Sequence, residues 1–254
     1  MARRAADTIA ESGDESPHSK KTDRRYANRV GQQLVQGVHY FQKIGFRERE
    51  ELFGQLQHGQ EPEACLITCV DSRIVPNLIT NSEPGALFIV RNLGNLVPCY
   101  GTSNNGELAA AEYAVVELGI EDLIVCGHTG CGAMQALVKS TETSGPSRTP
   151  LVMNWLRHAD ATREIVREHY GHLQGKALVN AAAEENVLVQ LEHLRTLPVI
   201  ASRMPSGRVR LHGWMYKIDS GEVFYYESEV GQFVKFGEAS VTGSAGIAVA
   251  GRRR

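Results

Sequence analysis

The chain has 254 residues, 27 of them basic and 29 acidic for a formal charge of −2, and 42% are hydrophobic. That is ample for one generous domain or two small ones with a full core. The near-neutral balance speaks against a nucleic-acid binder that works through a basic field, and no apolar run approaches the ~18 residues of a membrane helix. No apolar segment follows Arg3 and Arg4, so neither a secretory nor a twin-Arg signal is read and a cytosolic location is expected.

Residues 1–25 are polar and aperiodic and read as a flexible tail. Asn28–Tyr40 and Arg47–Leu56 have helical character, with Leu34, Val38 and Phe41 at helical spacing. Ala64–Val70 (ACLITCV), Ala86–Val90 (ALFIV) and Leu123–Cys126 (LIVC) are short, continuous apolar runs. Continuity rather than alternation marks strands buried on both faces, as in a parallel sheet. Between the last two runs, Glu107–Leu118 reads as a helix with Leu108, Ala111, Val115 and Leu118 on one stripe. Thr149 as cap and Pro150 as first residue open a helix through Trp155, Ile165 and Tyr170, and another helix covers Ala177–Leu194. Val209–Ile218 and Val223–Tyr226 flank the turn residues Asp219-Ser220-Gly221 and predict a terminal hairpin. Residues 237–254, ending in three arginines, read as a second tail. The domain then spans 26–236. Its pattern is an α/β fold: a mostly parallel central sheet flanked by helices, with an N-terminal helical arm and C-terminal helices plus the hairpin. Such folds place their sites at the carboxyl ends of strands.

Five cysteines, an odd number clustered mid-chain, do not suit a secreted disulfide framework. Cys65, Cys99 and Cys126 read as ordinary buried small side chains. The first strand runs out into Cys69-Val70-Asp71-Ser72-Arg73, where extended backbone puts Cys69, Asp71 and Arg73 on one side. The third runs out into Gly127-His128-Thr129-Gly130-Cys131-Gly132, where His128 and Cys131 stand three apart across a tight turn. Two thiolates, an imidazole and a carboxylate match the ligand number and softness that zinc prefers. Gly132 falls where a helix begins, with free N–H groups aimed outward. The run from Gly127 is G-x-x-G-x-G rather than the dinucleotide fingerprint, and no P-loop, nucleophile elbow or C-x-x-C is present. His169 and His172 read as members of a solvated face.

The segments CVDSR (Cys69–Arg73), EPGALFIVRNLGNLVP (Glu83–Pro98), EYAV (Glu112–Val115) and CGHTGCGAM (Cys126–Met134) resemble the β-class carbonic anhydrases. The later segments PLVMNWLRHADATRE, EENVLVQLEHL and GWMYKIDSG are similar to the bacterial, cyanobacterial and plant branch. The resemblance implies zinc held by Cys69, His128 and Cys131, and reversible hydration of carbon dioxide to bicarbonate and a proton by attack of a zinc-bound hydroxide. It implies that Asp71, paired with Arg73, orients that hydroxide, and that Asp71 serves as a fourth zinc ligand in a closed resting state. It assigns Gln60, Phe88, Tyr113 and the Gly132 N–H to the substrate pocket. It further implies a homodimer or dimer-based oligomer with site residues drawn from both subunits, the helices of Asn28–Leu56 forming the arm that wraps a neighbour. Some bacterial members hold an inhibitory bicarbonate near a Trp three residues before the first ligand; Leu66 stands there, which favours a constitutively accessible site. Two alternatives share these motifs: a carbon disulfide or carbonyl sulfide hydrolase of the same fold, and a non-catalytic zinc-containing assembly protein. The cyanobacterial character of the C-terminal half also admits a carboxysome association.

Overall fold

The structure is a computed structural model, and it describes residues 31–102, 106–139 and 148–237. Both expected tails lie outside those residues apart from Gly237, and so do residues 26–30 of the expected domain. The chain divides into two units, one ending at Gly59 and the other beginning at Gln60.

In the first unit, helix α1 (Gln32–Tyr40) passes through a wider π-helical turn (Phe41–Gly45) and a 3-10 turn (Arg47–Arg49) into α2 (Glu50–Leu56). Three phenylalanines tie these pieces together. Phe46 stacks on Phe53 at 5.2 Å between ring centroids, and Phe41 meets both edge-on at 6.2 and 5.9 Å. Leu34, Val38 and Phe41, the predicted helical stripe, are exposed.

The second unit is built on a six-stranded sheet in the order β2-β1-β3-β4-β5-β6. Its strands are β1 (Ala64–Cys69), β2 (Leu87–Asn92), β3 (Asp122–His128), β4 (Arg210–Tyr216), β5 (Val223–Glu227) and β6 (Gln232–Lys235). β1 to β4 run parallel, and β5 and β6 are antiparallel additions. Around them lie α3 (Pro76–Ile79), α4 (Gly106–Val116), α5 (Gly132–Lys139), α6 (Pro150–Trp155), α7 (Asp160–His169), α8 (Gly175–Arg195) and α9 (Pro198–Arg203). The mostly parallel α/β architecture is the one expected. Because β2 follows β1 on one side and β3 returns to the other, the strand order reverses at β1, and the carboxyl ends of β1 and β3 flank the switch point where open α/β sheets bind ligands.

β1 is buried along its whole length, which is why it reads as an unbroken apolar run. Cys65, Ile67 and Cys69 enter the larger core with Leu123 and Val125 of β3, while Ala64 and Leu66 join Ile124 and Cys126 on the opposite face. The alternation of period two therefore sets Cys65 and Cys69 on one face, as the strand reading requires.

Several boundaries differ from expectation for identifiable reasons. β2 continues two residues past the apolar run because the Arg91 guanidinium is satisfied: Nε donates to the Cys69 carbonyl at 3.0 Å, and Nη2 to those of Cys69 and Asp71 at 2.9 and 2.8 Å. The single helix expected from Pro150 to Tyr170 is broken by a 3-10 turn (Leu156–Ala159) that sends Leu156 and Ala159 into the core, after which Asp160 opens α7. Thr149 occupies the cap position of α6, yet its side chain makes no cap hydrogen bond. β6 was not expected, since its four residues carry little apolar signal; it closes the antiparallel end by pairing with β5.

Helix α8 lies close on β3 and β4 because glycines clear its path. A Cβ at Gly127 would stand 2.7 Å from Val187 Cγ2 and 2.8 Å from Met215 Sδ, and one at Gly213 would stand 2.9 Å from Val187 Cγ1. Gly127→Ala is therefore expected to cost about 1–3 kcal/mol of stability by overpacking. Combined with Val187→Ala, it should cost less than the two single losses added, since Val187 is the stiff group it strikes. Chemical denaturation of the four proteins checks this, and strictly additive losses would show that helix and strand do not meet at this point.

Candidate metal centre

Cys69 ends β1, His128 ends β3, and Cys131 lies immediately before α5. All three side chains are buried, and their ligating atoms lie within 4.8 Å of one another. The turn between His128 and Cys131 is possible because Gly130 takes φ +64°, a region in which L side chains are strained.

The two thiols act on one another. The Cys131 thiol donates to Cys69, which holds the Cys69 thiol well below its ordinary value against the opposing effect of burial; the neighbouring His128 ring and the backbone N–H groups of Asp71 and Gly94 act in the same direction. The Gly94 N–H reaches Cys69 Sγ at 3.4 Å. Cys131 is pushed up by sharing that proton and by burial, although the N–H groups of Met134 and Ala133, in the first turn of α5, pull in the other direction. His128 Nδ1 lies 3.0 Å from the Thr129 carbonyl, so it carries the proton and donates. Its Nε2 is left as a bare acceptor, buried and without a hydrogen-bond partner. A buried lone pair opposite two sulfurs that cannot both keep a proton comfortably is a donor set suited to a soft divalent cation, and zinc with an open fourth position fits it.

Asp71 and Arg73 stand beside this cluster. The strand stops at Cys69, so the two occupy a turn, closed by the Ile74 N–H on the Asp71 carbonyl, rather than the extended backbone expected. They meet nonetheless. Asp71 Oδ1 accepts from the Arg73 backbone N–H at 3.0 Å and from Nε at 2.9 Å, and Oδ2 accepts from Nη2 at 2.8 Å. This grip holds the Asp71 carboxyl far below the usual carboxylate range, with burial opposing it. Nη2 also reaches the Gly130 carbonyl at 3.2 Å, which links the pair to the His128–Cys131 turn.

Of the remaining candidates, Gly132 directly follows Cys131, whereas Phe88 and Tyr113 lie back along the sheet. Phe88 pairs in register with Cys65, four residues before Cys69, which is roughly 13 Å back along the strand. Tyr113 of α4 lies against it at 6.0 Å between ring centroids and is exposed. Gln60 is exposed ahead of β1. Gly132 opens α5, exposed, with nothing within 4 Å of where a Cβ would be. His169 and His172 are exposed, as expected. Cys65 and Cys126 are buried and pushed up to about 12 by that burial, and Cys99 is raised in the same way, so all three are poor thiolates. Sequence reasoning missed Arg91 and Gly94, which brace Cys69 from the next strand and loop; a charged residue closing an apolar run was the available signal.

Fold and site together define an α/β protein with a candidate Cys₂His metal centre at the switch point of its sheet. A family model described as carbonic anhydrase matches residues 64–223. The chain is 48% identical over 203 residues to a carbonic anhydrase of Synechocystis sp., covering 80% of this chain and 73% of that one. It is 41% identical over 221 residues to a carbonic anhydrase of Pseudomonas aeruginosa, covering 85% and 99%. Among solved structures it is similar to the β-carbonic anhydrase CcaA, with TM-score 0.78 at 47% identity over 82% of this chain and 92% of that one. The chain belongs to the β-class carbonic anhydrases, a class of zinc enzymes. No helix among the described residues is long and apolar enough to cross a membrane.

Changing Cys69 or Cys131 to Ser should abolish zinc retention and activity together. Cys65→Ala and Cys99→Ser should keep the parental metal content. Elemental analysis of the purified variants measures this, and zinc lost from folded Cys65→Ala would contradict the strand geometry.

Proposed function

We propose that this chain catalyses the reversible hydration of carbon dioxide to bicarbonate and a proton, with zinc held by Cys69, His128 and Cys131. The observation that carries the reading is the buried cluster of Cys69, His128 and Cys131, with ligating atoms within 4.8 Å of one another and His128 Nε2 without a hydrogen-bond partner. Zinc there supplies Lewis acidity, which lowers the pKa of coordinated water from 15.7 to about 7.

The protein's own part begins with Asp71. Both its oxygens are gripped by Arg73, two donors on Oδ1 and one on Oδ2, so Oδ2 has the greater spare acceptor capacity. That oxygen is assigned to accept a hydrogen bond from the attacking oxygen and so aim its lone pair at the substrate carbon. A guanidinium suits the task because it holds a carboxylate with two parallel bonds and fixes its plane. In this arrangement Asp71 is committed to Arg73, which is the open state that the resemblance associates with activity; release of Arg73 frees Asp71 to become a fourth ligand.

Phe88 and Tyr113 present an apolar wall suited to carbon dioxide, and Gln60 an amide suited to a bicarbonate oxygen. The roughly 13 Å along β1 between the register position of Phe88, with Tyr113 against it, and Cys69 supports a site completed by a second copy, in a homodimer or dimer-based oligomer. The five free thiols suit a reducing compartment, in keeping with the cytosol. The carboxysome association rests on the resemblance alone.

Stopped-flow hydration of carbon dioxide by the zinc-loaded protein, run beside a sulfide-release assay with carbon disulfide and carbonyl sulfide, tests the reading. Fast hydration without sulfide release is expected. Sulfide release without hydration would identify the sulfur-analogue hydrolase, and neither activity from zinc-loaded protein would identify an assembly protein.

Arg73→Ala should keep its zinc and its fold and lose most hydration activity, because Asp71 is then left with the metal as its best partner. Arg73→Lys should recover only part, since an ammonium has no two-pronged grip. Near-parental turnover in Arg73→Ala would mean that Asp71 does not gate the site.

A further inference from the structure

We propose that α8 is the common jig of the metal centre, with Asn180 and Asn186 as positioning residues that hold the two ligand-bearing loops at metal-binding separation. The proposal rests on the zinc reading above and assigns work to a helix that contributes no ligand.

Along α8, Asn180, Ala183, Val187 and Gln190 recur at helical intervals of three, four and three, and Ala183 and Val187 meet Gly127, the residue before His128. The helix is therefore seated directly against the strand that delivers the imidazole. From this seat its amides reach both halves of the site. Asn180 Oδ1 accepts from the Gly130 N–H at 2.9 Å, at the centre of the turn between His128 and Cys131. The Gly130 carbonyl takes Arg73 Nη2, so this one residue is clamped at both ends, by the helix and by the Asp71–Arg73 pair.

On the other half, Asn186 Nδ2 donates to the Gly94 carbonyl at 2.9 Å, and the Gly94 N–H faces Cys69 Sγ. Gly94 cannot be replaced in this position without strain, having φ +83° and a Cβ site 2.9 Å from that of Ala133. Asn186 is itself oriented: its Oδ1 accepts from Gln190 Nε2 at 3.0 Å and from Thr162 Oγ1 at 3.3 Å. Gln190 Oε1 then accepts the Val97 N–H at 2.8 Å, further along the same loop. Asn186 and Gln190 are buried, and a buried amide network satisfied at this many atoms has one low-energy arrangement. The β1–β3 ladder ends at Thr68 and Cys126, and beyond it both loops are bound to the same helix, which holds Cys69 in place against His128 and Cys131.

The test compares zinc release to excess EDTA, the thiolate-to-cobalt charge-transfer absorption of the Co²⁺-substituted protein, and the thermal midpoint. Asn180→Leu removes the acceptor for the Gly130 N–H, whereas Asn180→Asp keeps an oxygen in its place. Asn180→Leu should release zinc about 10-fold faster or more and change the cobalt spectrum, as outer-shell substitutions at metal sites do, with the midpoint within a few degrees of the parent. Asn180→Asp should release zinc within about twofold of the parent, well inside that effect. Asn186→Asp, which loses the N–H toward Gly94 while keeping an oxygen toward Thr162 and Gln190, should also speed release. If it does not fold, the Asn180 pair decides. Parental release and spectrum in Asn180→Leu would overturn the proposal, as would equal failure of Asn180→Asp. A parent protein that takes up no zinc would overturn the metal reading itself and this proposal with it.

Discussion

Two sulfurs and an imidazole nitrogen buried within 4.8 Å of one another form a group that cannot satisfy itself. The hydrogen bond between Cys69 and Cys131 lowers the one thiol and raises the other, and His128, its Nδ1 committed to a carbonyl, keeps Nε2 buried without a partner. Removing an unpaired charge from water is costly, so the fold must either neutralise this cluster or lose stability to it. A divalent cation converts the liability into binding energy. The parallel sheet, with its reversal at β1, exists in that sense to bring two strand ends together in a dry place.

Holding the ends there requires support from every side. Arg91 on β2 takes the carbonyls on either side of Val70, and the Gly94 N–H approaches the Cys69 sulfur. Helix α8 closes the assembly from above because Gly127 and Gly213 leave no Cβ in its way. Activity and stability therefore draw on the same contacts: the glycine that lets the helix approach precedes the histidine that holds the metal.

Much of this was legible in the sequence, and the boundary of legibility has a physical reason. Continuous apolar runs announced parallel strands, buried at β1 and β3 but only half-buried at β2, which lies at the sheet edge, and chemistry at two strand ends, C-x-D-x-R and H-x-x-C, announced the site, because strand ends and ligand types are local properties. The turn at Asp71–Arg73 was read as extended strand, since the sequence alone does not show that the ladder stops at Cys69. The break at Leu156–Ala159 was invisible because both segments are helical by composition. Asn180, Asn186 and Arg91 escaped notice for a deeper reason: an amide or guanidinium acts through partners dozens of residues away, and only the tertiary structure joins them. Phe88 and Tyr113 show the converse: they are named from resemblance, and Phe88 pairs with Cys65, four residues back along β1 from the ligand Cys69.

The central claim, that the cluster is a zinc centre built on two thiolates, is tested most directly by zinc K-edge X-ray absorption on the protein as purified and zinc-loaded. The account predicts about one zinc per chain, with two sulfur neighbours near ~2.3 Å and N/O neighbours near ~2.0–2.1 Å. A first shell of nitrogen and oxygen alone, with no sulfur scattering, would contradict it.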